Sequence, residues 1–314
     1  MAVIEQATGL LIDDDPIGIE FGRARPRAPA TVPQTKLTIA SYNIRYAVGS
    51  HLISTGLVRR LGFNPPQPRA ERVAENIKIA SQVFSNGLLL PPVDILALQE
   101  ADKRTVRAGG HHVACELAEE LGMGWVHIPV GIPRGVKPKP KQWWFNFEES
   151  IELNDAGDTG VALVSHLVTE DVTRIDLPWH ECPWRPRLAL AATVLLGTQR
   201  LRLFNAHLDP HAAAGGQLEQ LEVMIDQADK FHGPTVVVGD FNTLSKQKCA
   251  QSRAFMEARG YTTPFPTGTP TWRGGGLRMH ADWIFVRDAR VTSWGVAKPL
   301  GISDHWPIWA GIEV

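Results

Sequence analysis

The sequence predicts an α/β fold that is built from two mixed β-sheets. Apolar, strand-like runs outnumber helical segments, and the helical segments recur between strands. No proline- or glycine-rich linker divides the chain after residue 35, and no short repeat is present. Helices that return between strands pack against sheet faces, which favours layers of helix and sheet over a simple doubly wound sheet.

Runs of apolar and β-branched residues predict the strands. The run Thr235–Val238 is continuously β-branched, which is typical of a strand that is buried on both faces. The predicted strands are LTIASYNIRY (37–46), VDILALQEAD (93–102), TGVALVSH (159–166), RLALAATVLL (187–196), RLRLFNAHLD (200–209), TVVVGDF (235–241), ADWIFV (281–286) and HWPIWAGIEV (305–314).

Three segments with helical periodicity lie between these strands. Gly122 is the last residue of the second of them, in the position where glycine ends helices. The segments are PRAERVAENIKIASQVF (68–84), HVACELAEELG (112–122) and GGQLEQLEVMIDQADKF (215–231).

Composition indicates a soluble globular protein. Hydrophobic residues make up 44% and charged residues 21% of the 314-residue chain, enough for a sizeable core. The net charge of -1 provides no general basic field for nucleic acid, although a local patch would suffice. The three cysteines are far apart, so neither a disulfide framework nor a cysteine metal site is indicated. Without a signal-like or membrane-spanning run, we expect a cytoplasmic protein, and a trimmed signal peptide would leave the same sequence.

Two segments stand outside the regular pattern. Residues 1–35 join an acidic run to a proline-rich basic run, and we expect either an extension over the domain or a disordered tail. The catalytic domain is predicted over residues 36–314. Within it, residues 132–157 form an insert with four basic residues, three prolines and several aromatic residues, including Trp143 and Trp144. Loops of this length are uncommon unless they are functional or disordered.

Polar side chains follow the apolar part of several predicted strands. One such residue alone has a simple structural explanation. Asn and Asp often form turns, and a histidine flanked by apolar residues is often a core residue whose ring nitrogens are hydrogen-bonded. The repetition at many strand ends favours a shared site. The candidates are Asn43, Glu100, Asn205, His207, Asp209, Asp240, Asn242, Asp282, Asp304 and His305.

These residue types suit metal-assisted chemistry on a phosphoryl group. Glu100 with Asn43 and a second carboxylate provides oxygen ligands of the kind that Mg²⁺ or Mn²⁺ prefers. Asp240 is a candidate base for water. Histidines can donate hydrogen bonds to a phosphoryl oxygen whose charge grows in the transition state. An acid beside His305 would raise the pKa of that histidine and orient its ring.

Two other hydrolase classes are less well supported. The alternation His207-x-Asp209-x-His211 has the spacing of a zinc ligand triplet, but no second histidine cluster with matching chemistry accompanies it. A serine hydrolase is disfavoured because the chain has no G-x-S-x-G turn.

Seven motifs together resemble the endonuclease/exonuclease/phosphatase family, which includes DNase I, exonuclease III-type enzymes, inositol polyphosphate 5-phosphatases and neutral sphingomyelinases. They occur in the order SYNIRY, LALQEAD, TGVALVSH, FNAHLD, VVVGDFNT, ADWIFV and ISDHWPI, and they span about residues 36–314. The resemblance implies a DNase I-like, four-layer α/β/β/α sandwich of two mixed sheets flanked by helices.

The resemblance also implies roles for the matching residues. Glu100 would be the principal metal carboxylate for Mg²⁺ or Mn²⁺, with Asn43 and Asp304 close by. Asp240 would orient or deprotonate the attacking water, and Asn242 would position the water or the phosphate. His305, paired with Asp282, would stabilise the transition state, and His207 occupies the position of a histidine in nuclease-type members.

Two departures from the family pattern bear on the substrate. Arg45 follows Asn43-Ile44, so the additional acidic ligand of some abasic-site enzymes is absent and that activity is disfavoured. The insert at 132–157 matches no named subfamily.

The sequence therefore predicts a metal-dependent phosphoesterase, with a nuclease-like phosphodiesterase ahead of a lipid or small-molecule phosphoesterase. A catalytically silent binding module is the alternative from another class. The insert would stack nucleic-acid bases or contact a lipid surface, and a packed cover loop is the structural alternative. No obligate protein partner is indicated. The predicted substrate contacts are Arg187, Asn205, Trp143 and Trp144.

Overall fold

A computed structural model describes most of the predicted catalytic domain and two short pieces of the N-terminal segment. The described residues are 12–14, 18–22, 35–49, 67–134, 151, 153–178, 185–274, 276–298 and 300–314. The predicted substrate contacts Trp143 and Trp144, with most of the insert, lie outside them.

Fifteen strands and four α-helices form the described structure. The strands are β1 Ile12–Asp14, β2 Glu20–Gly22, β3 Lys36–Asn43, β4 Ile95–Gln99, β5 Gly124–Pro129, β6 Gly160–Ser165, β7 Thr169–Leu177, β8 Arg187–Leu196, β9 Gln199–His207, β10 Thr235–Asp240, β11 Trp272–Gly274, β12 Leu277–Met279, β13 Asp282–Arg287, β14 Arg290–Val296 and β15 Ile308–Glu313. The helices are α1 Arg69–Ser85, α2 Val113–Leu121, α3 Ala214–Ala228 and α4 Lys246–Ala258, and a short 3-10 turn covers Arg45–Ala47.

The strands form two large sheets and one small hairpin. The larger sheet has eight strands in the order β1-β2-β5-β6-β4-β3-β15-β14, and the smaller has five in the order β13-β10-β9-β8-β7. Strands β11 and β12 pair with each other in a separate two-stranded sheet. Both large sheets mix parallel and antiparallel pairs, since β3–β4 and β9–β10 are parallel and their neighbours are antiparallel.

The two sheets pack face to face, with helices on both outer faces. Apolar side chains from both sheets form the central core, for example Ile39 and Ile95 of the larger sheet and Val238 of the smaller. Helices α1 and α2 cover the outer face of the larger sheet, and α3 and α4 cover that of the smaller. The predicted four-layer α/β/β/α sandwich is confirmed.

The register of the strands brings their polar ends to one edge of the sandwich. Asn43 at the end of β3 pairs with Gln99 at the end of β4. In the smaller sheet, Asp240 at the end of β10 lies between His207 of β9 and Asp282 of β13. The carboxyl ends of parallel strands meet at one edge of a sheet, so this register follows from the direction of the chain.

The structure contains elements that the sequence patterns did not predict. Helix α4 buries only a narrow stripe, which includes Cys249 and Met256, so its apolar periodicity is weak. Ser245, whose side chain accepts a hydrogen bond from the Lys248 amide, is the signal that could have located its start. Strands β1 and β2 lie within the predicted N-terminal extension and join the larger sheet at its edge through β5.

No helix in the described ranges is both long enough and apolar enough to cross a membrane.

Gly239 allows β10 to lie directly against β9. Its φ is +142°, and a Cβ atom at this position would lie 2.0 Å from the carbonyl oxygen of Ala206. We expect Gly239→Ala to lower the free energy of unfolding by at least about 1–3 kcal/mol, because backbone atoms on both strands would have to move. Urea denaturation followed by circular dichroism measures this change.

The matched control is Gly215→Ala, in α3, where an added Cβ meets no atom within 4 Å. That variant is expected to keep or slightly raise the stability of the protein. Equal stability of the two variants would contradict the close approach of β9 and β10.

Candidate active site

The predicted site residues converge where the two sheets meet. Strand ends from the larger sheet face strand ends from the smaller sheet, and the loop before β15 closes the group. Except for the partly exposed Glu100, all of these side chains are buried. The residues brought together are Asn43, Glu100, His207, Asp240, Asn242, Asp282, Asp304 and His305.

Asp240 is the centre of the contacts. Its Oδ2 accepts a hydrogen bond from Nδ2 of Asn43 at 2.9 Å, which connects the smaller sheet to the larger one. Its Oδ1 accepts from the backbone amide of Asn242, also at 2.9 Å. The Nε2 atoms of His207 and His305 lie 3.5 and 3.6 Å from Oδ2. One carboxylate therefore contacts both predicted histidines.

His305 is held by Asp282. Its Nδ1 lies 2.9 Å from Oδ2 of Asp282, and the backbone amide of Asp282 donates to the hydroxyl of Thr271. Burial disfavours the charged imidazole, but the negative charges of Asp282 and Asp240 outweigh burial and raise the pKa of His305 to about 10. His305 is therefore a cation at neutral pH, with Nε2 facing Asp240.

In Asp240 and His207, burial favours the uncharged form of the side chain. Burial raises the pKa of Asp240 to about 7, with His305 lowering it and Asp282 raising it. Burial, together with the cations Arg187 and Arg185, holds the pKa of His207 well below its usual value. The site thus combines a basic carboxylate, a neutral histidine and a charged histidine within one cluster.

Glu100 lies beside positive charge. Its Oε1 accepts a hydrogen bond from Nη2 of Arg185 at 3.1 Å and lies 3.9 Å from Nε2 of His207. Burial acts to raise the pKa of Glu100, but Arg185 and Arg107 outweigh it and the pKa is lower than usual. Glu100 and Asn242 both have a φ of +51°, which is uncommon for residues other than glycine and is typical of functional sites.

The donor set fits a divalent cation such as Mg²⁺ or Mn²⁺. Oε2 of Glu100 accepts no hydrogen bond from any described residue, and Oδ1 of Asn43 faces only the backbone amide of Arg45. Asp304 is less free, since Nε of Arg45 lies 3.7 Å from its Oδ1 and Trp272 donates to its Oδ2 at 3.0 Å. Hard oxygen ligands of this kind are those that Mg²⁺ and Mn²⁺ prefer.

The zinc triplet considered from the sequence is not assembled. Oδ1 of Asp209 accepts a hydrogen bond from the backbone amide of His211, which is a turn-forming contact. In the described part of the chain, two groups of three metal-ligating side chains lie within 4.8 Å, and neither contains Asp209 or His211.

Two buried arginines line the space next to His207. Nη1 of Arg187 lies 3.2 and 3.1 Å from the two ring nitrogens of His207. Its Nε and Nη2 are buried and have no hydrogen-bond partner among the described residues. A buried guanidinium with two unused donors is costly, so an anion that entered this space would be stabilised. Arg187 and Arg185 line this pocket with Thr159 and Gly160.

Asn205 does not face this space, and its prediction as a substrate contact is corrected. Its side chain is fully buried between the sheets. Nδ2 donates to the carbonyls of Leu98 and Ala162, and Oδ1 accepts from Gln99 at 2.7 Å. Asn205 therefore connects strand β9 to the larger sheet.

The amide of Asn242 is also partly engaged, since its Nδ2 donates to the carbonyl of Leu208 at 2.9 Å. This bond fixes the side chain of Asn242 beside the end of β9.

Several residues of the site were not assigned to it from the sequence. Arg185 pairs with Glu100, and Ser303 donates to the carbonyl of Asn43 at 2.7 Å while accepting from the amide of His305. Arg107 is buried and donates through Nε and Nη2 to Asp102. The alternation Arg185-x-Arg187 before an apolar strand was the available signal for Arg185. The role of Ser303 follows only from contacts across 260 residues.

Solved structures with the same fold are similar over nearly the whole chain at low sequence identity. An endonuclease/exonuclease/phosphatase from Beutenbergia cavernae has a TM-score of 0.60 and 17% identity, over 90% of this chain and 72% of that one. A mannosyl-6-phosphatase from Bacteroides thetaiotaomicron has a TM-score of 0.57 and 16% identity, over 88% and 100%. A humanized D. rerio TDP2 has a TM-score of 0.55 and 15% identity, over 89% and 100%. A comparison with curated proteins finds no match.

The sequence model of the Endonuclease/Exonuclease/phosphatase family matches residues 40–305. That range begins in β3, three residues before Asn43, and ends at His305, so it contains every residue of the cluster described above. The chain belongs to the endonuclease/exonuclease/phosphatase family, whose members hydrolyse phosphoester bonds.

Proposed function

We propose that this protein is a divalent-metal-dependent phosphoesterase in which water, activated by Asp240, attacks phosphorus. The observation that carries this proposal is the convergence of Asn43, His207 and His305 on one oxygen of the Asp240 carboxylate. A base, a cationic donor and a neutral histidine within a few ångströms of each other can activate water and stabilise charge on a phosphoryl group.

Glu100 would hold the metal ion, with Asn43 and Asp304 contributing oxygen atoms. Mg²⁺ or Mn²⁺ bound by these residues would neutralise charge that develops on the phosphoryl oxygens. Nδ2 of Asn43 donates to Asp240, and this hydrogen bond orients the amide so that its Oδ1 atom points away from the Asp240 carboxylate.

Asp240 would take a proton from the attacking water. A carboxylate with a pKa of about 7 is a stronger base than an ordinary aspartate, and it remains largely ionised above neutral pH. The Asn242 amide bond to Oδ1 holds the carboxylate in one orientation. That orientation directs Oδ2 toward the histidines and the space in front of them.

His305 would stabilise the transition state. Asp282 keeps the imidazole protonated and orients it, so Nε2 can donate a hydrogen bond to a phosphoryl oxygen as its charge grows. His207, which is neutral, can donate from one ring nitrogen without adding charge. All of these groups are present, which disfavours the alternative of a catalytically silent binding module.

The arginine pair favours a small or terminal phosphoester over an internal phosphodiester of nucleic acid. Arg185 and Arg187 are 8% and 3% exposed, so they can contact only a group that enters the pocket. A long polyanion is instead recruited by exposed basic residues, and the net charge of -1 provides no general field for it. The mannosyl-6-phosphatase among the similar structures acts, by its name, on a sugar phosphate. The nuclease-like substrate and the lipid surface predicted from the sequence stay predictions.

A hydrolysis panel tests the proposed function. The purified protein with Mg²⁺ or Mn²⁺ is assayed against sugar phosphates, inositol phosphates, bis-p-nitrophenyl phosphate, sphingomyelin, plasmid DNA and RNA. We expect release of phosphate from at least one small phosphoester, and complete loss of that release in EDTA with recovery on adding excess Mg²⁺. Cleavage of DNA alone would reject the small-substrate class, and hydrolysis that survives EDTA would reject the metal.

Arg187 is expected to contribute to substrate affinity. Arg187→Met should raise KM about 10- to 100-fold, because two buried donors to the phosphoryl group are lost. Steady-state kinetics on the best substrate of the panel measures this change, with circular dichroism as the folding check. The control is Arg200→Met. Arg200 lies at the end of β9 that is remote from His207, and its half-exposed side chain pairs with Glu170 and Asp171. If both variants keep the wild-type KM, Arg187 does not contact substrate.

A further inference from the structure

A second cluster of metal-ligating side chains lies outside the active site. Glu20 of β2 and His127 of β5 are direct cross-strand partners, and His112 precedes α2. Nε2 of His112 lies 3.1 Å from Oε2 of Glu20, and Nδ1 of His127 lies 3.9 Å from the same oxygen. The ligand atoms of all three side chains lie within 4.8 Å of one another.

His127 has an unsatisfied nitrogen that faces this cluster. Its Nε2 lies 2.8 Å from the carbonyl oxygen of Ala101, which can only accept, so the ring proton is on Nε2. Nδ1 is therefore a lone pair, and it is buried without a hydrogen-bond partner among the described residues. Across from it is a carboxylate oxygen, also an acceptor. That oxygen accepts a hydrogen bond from Nε2 of His112, so Nδ1 of His127 is the acceptor left without a donor, and a cation between the two acceptors would satisfy it.

His127 is in the tautomer that binds a metal through Nδ1, because its Nε2 proton is donated to the carbonyl of Ala101. The bond from His127 to a backbone carbonyl is also typical of metal-bound histidines, which donate their second nitrogen to such a group and are oriented by it.

The neighbours of the cluster are compatible with a bound cation. Lys103 forms an ion pair with Oε1 of Glu20, which leaves Oε2 directed at the two histidines. Nδ1 of His112 accepts from the amide of Cys115 at 3.3 Å. For Nε2 of His112 to bind a metal, its proton must move to Nδ1, and this long hydrogen bond is exchanged for the metal bond.

We propose that Glu20, His112 and His127 form a binding site for a Zn²⁺-type divalent cation. Two imidazoles and one carboxylate are a ligand set that Zn²⁺ favours, with a fourth position open to water. The cation would join β2 of the N-terminal segment to β5 and to the start of α2. It would also fix the carbonyl of Ala101, the residue that follows Glu100. The role is structural, and it does not depend on the proposed phosphoester hydrolysis.

Zinc titration of the full chain tests this site. The protein is stripped with EDTA and desalted, and Zn²⁺ is then titrated by calorimetry. The variants are Glu20→Gln and His127→Gln for this cluster, Glu100→Gln for the active site, and His232→Gln as a histidine control elsewhere. We expect Glu100→Gln and His232→Gln to retain this binding event. Glu20→Gln and His127→Gln should weaken it by more than the roughly 10- to 100-fold that loss of an outer-shell partner costs. Equal stoichiometry and affinity in all four variants would overturn the proposal.

A second measurement covers variants that do not fold. X-ray absorption of Zn²⁺-loaded Glu100→Gln protein reports the number of imidazole ligands. Two imidazoles on zinc are expected from this cluster. The active site can also offer two imidazoles, those of His207 and His305, so the spectrum is compared with that of Glu100→Gln/His127→Gln protein, in which one imidazole fewer is expected. A Glu100→Gln spectrum with one imidazole or none, or the same number of imidazoles in both proteins, would overturn the assignment. Because neither readout is hydrolysis, failure of this proposal is distinguishable from failure of the proposed activity.

Discussion

The hydrogen bond from Asn43 to Asp240 joins the two sheets at the edge where the site lies. Each residue ends a central strand of its own sheet, so the bond can form only when the sheets are packed face to face in this register. Gln99 and Asn205 make a second polar connection between the same sheets, deeper in the sandwich. Such buried bonds are specific because either partner alone would be left unsatisfied. The apolar core supplies the packing, and these bonds determine where the strand ends meet.

The charges at this edge are arranged in two groups. Asp282, His305 and Asp240 form a chain in which each group sets the protonation of the next. Arg185, Arg187 and Glu100 form the second group, and His207 lies between the two. Charges in a buried site are weakly screened, so a bound anion or a bound cation would interact strongly with both groups. A phosphoryl group with a divalent ion would supply both, which is why the arrangement suits phosphoester hydrolysis better than simple anion binding.

Much of this arrangement could be predicted from the sequence, for physical reasons. Buried strands show as continuous β-branched runs, and Asp240 and Asn242 stand out because polar residues abruptly end such a run. Helix α4 and the edge strand β7 were not predicted, because their sides toward solvent are polar and few apolar positions remain. Asn205 was assigned to the substrate because alternation places it on the same face as His207. Alternation gives the face but not the depth, and Asn205 lies one step deeper, between the sheets. The Glu20–His112–His127 cluster joins residues more than 90 positions apart, so no local pattern reveals it.

The central claim is that Asp240 handles the attacking water, and its most direct test is the single-turnover rate of Asp240→Asn at saturating Mg²⁺. Asparagine keeps the shape of the side chain but cannot accept the proton of water. The rate is therefore expected to fall about 10²- to 10⁴-fold, with unchanged circular dichroism. Asp176→Asn, at a side chain that is 71% exposed, should keep the wild-type rate. A folded Asp240→Asn protein that hydrolyses its substrate within tenfold of the wild-type rate would contradict the account.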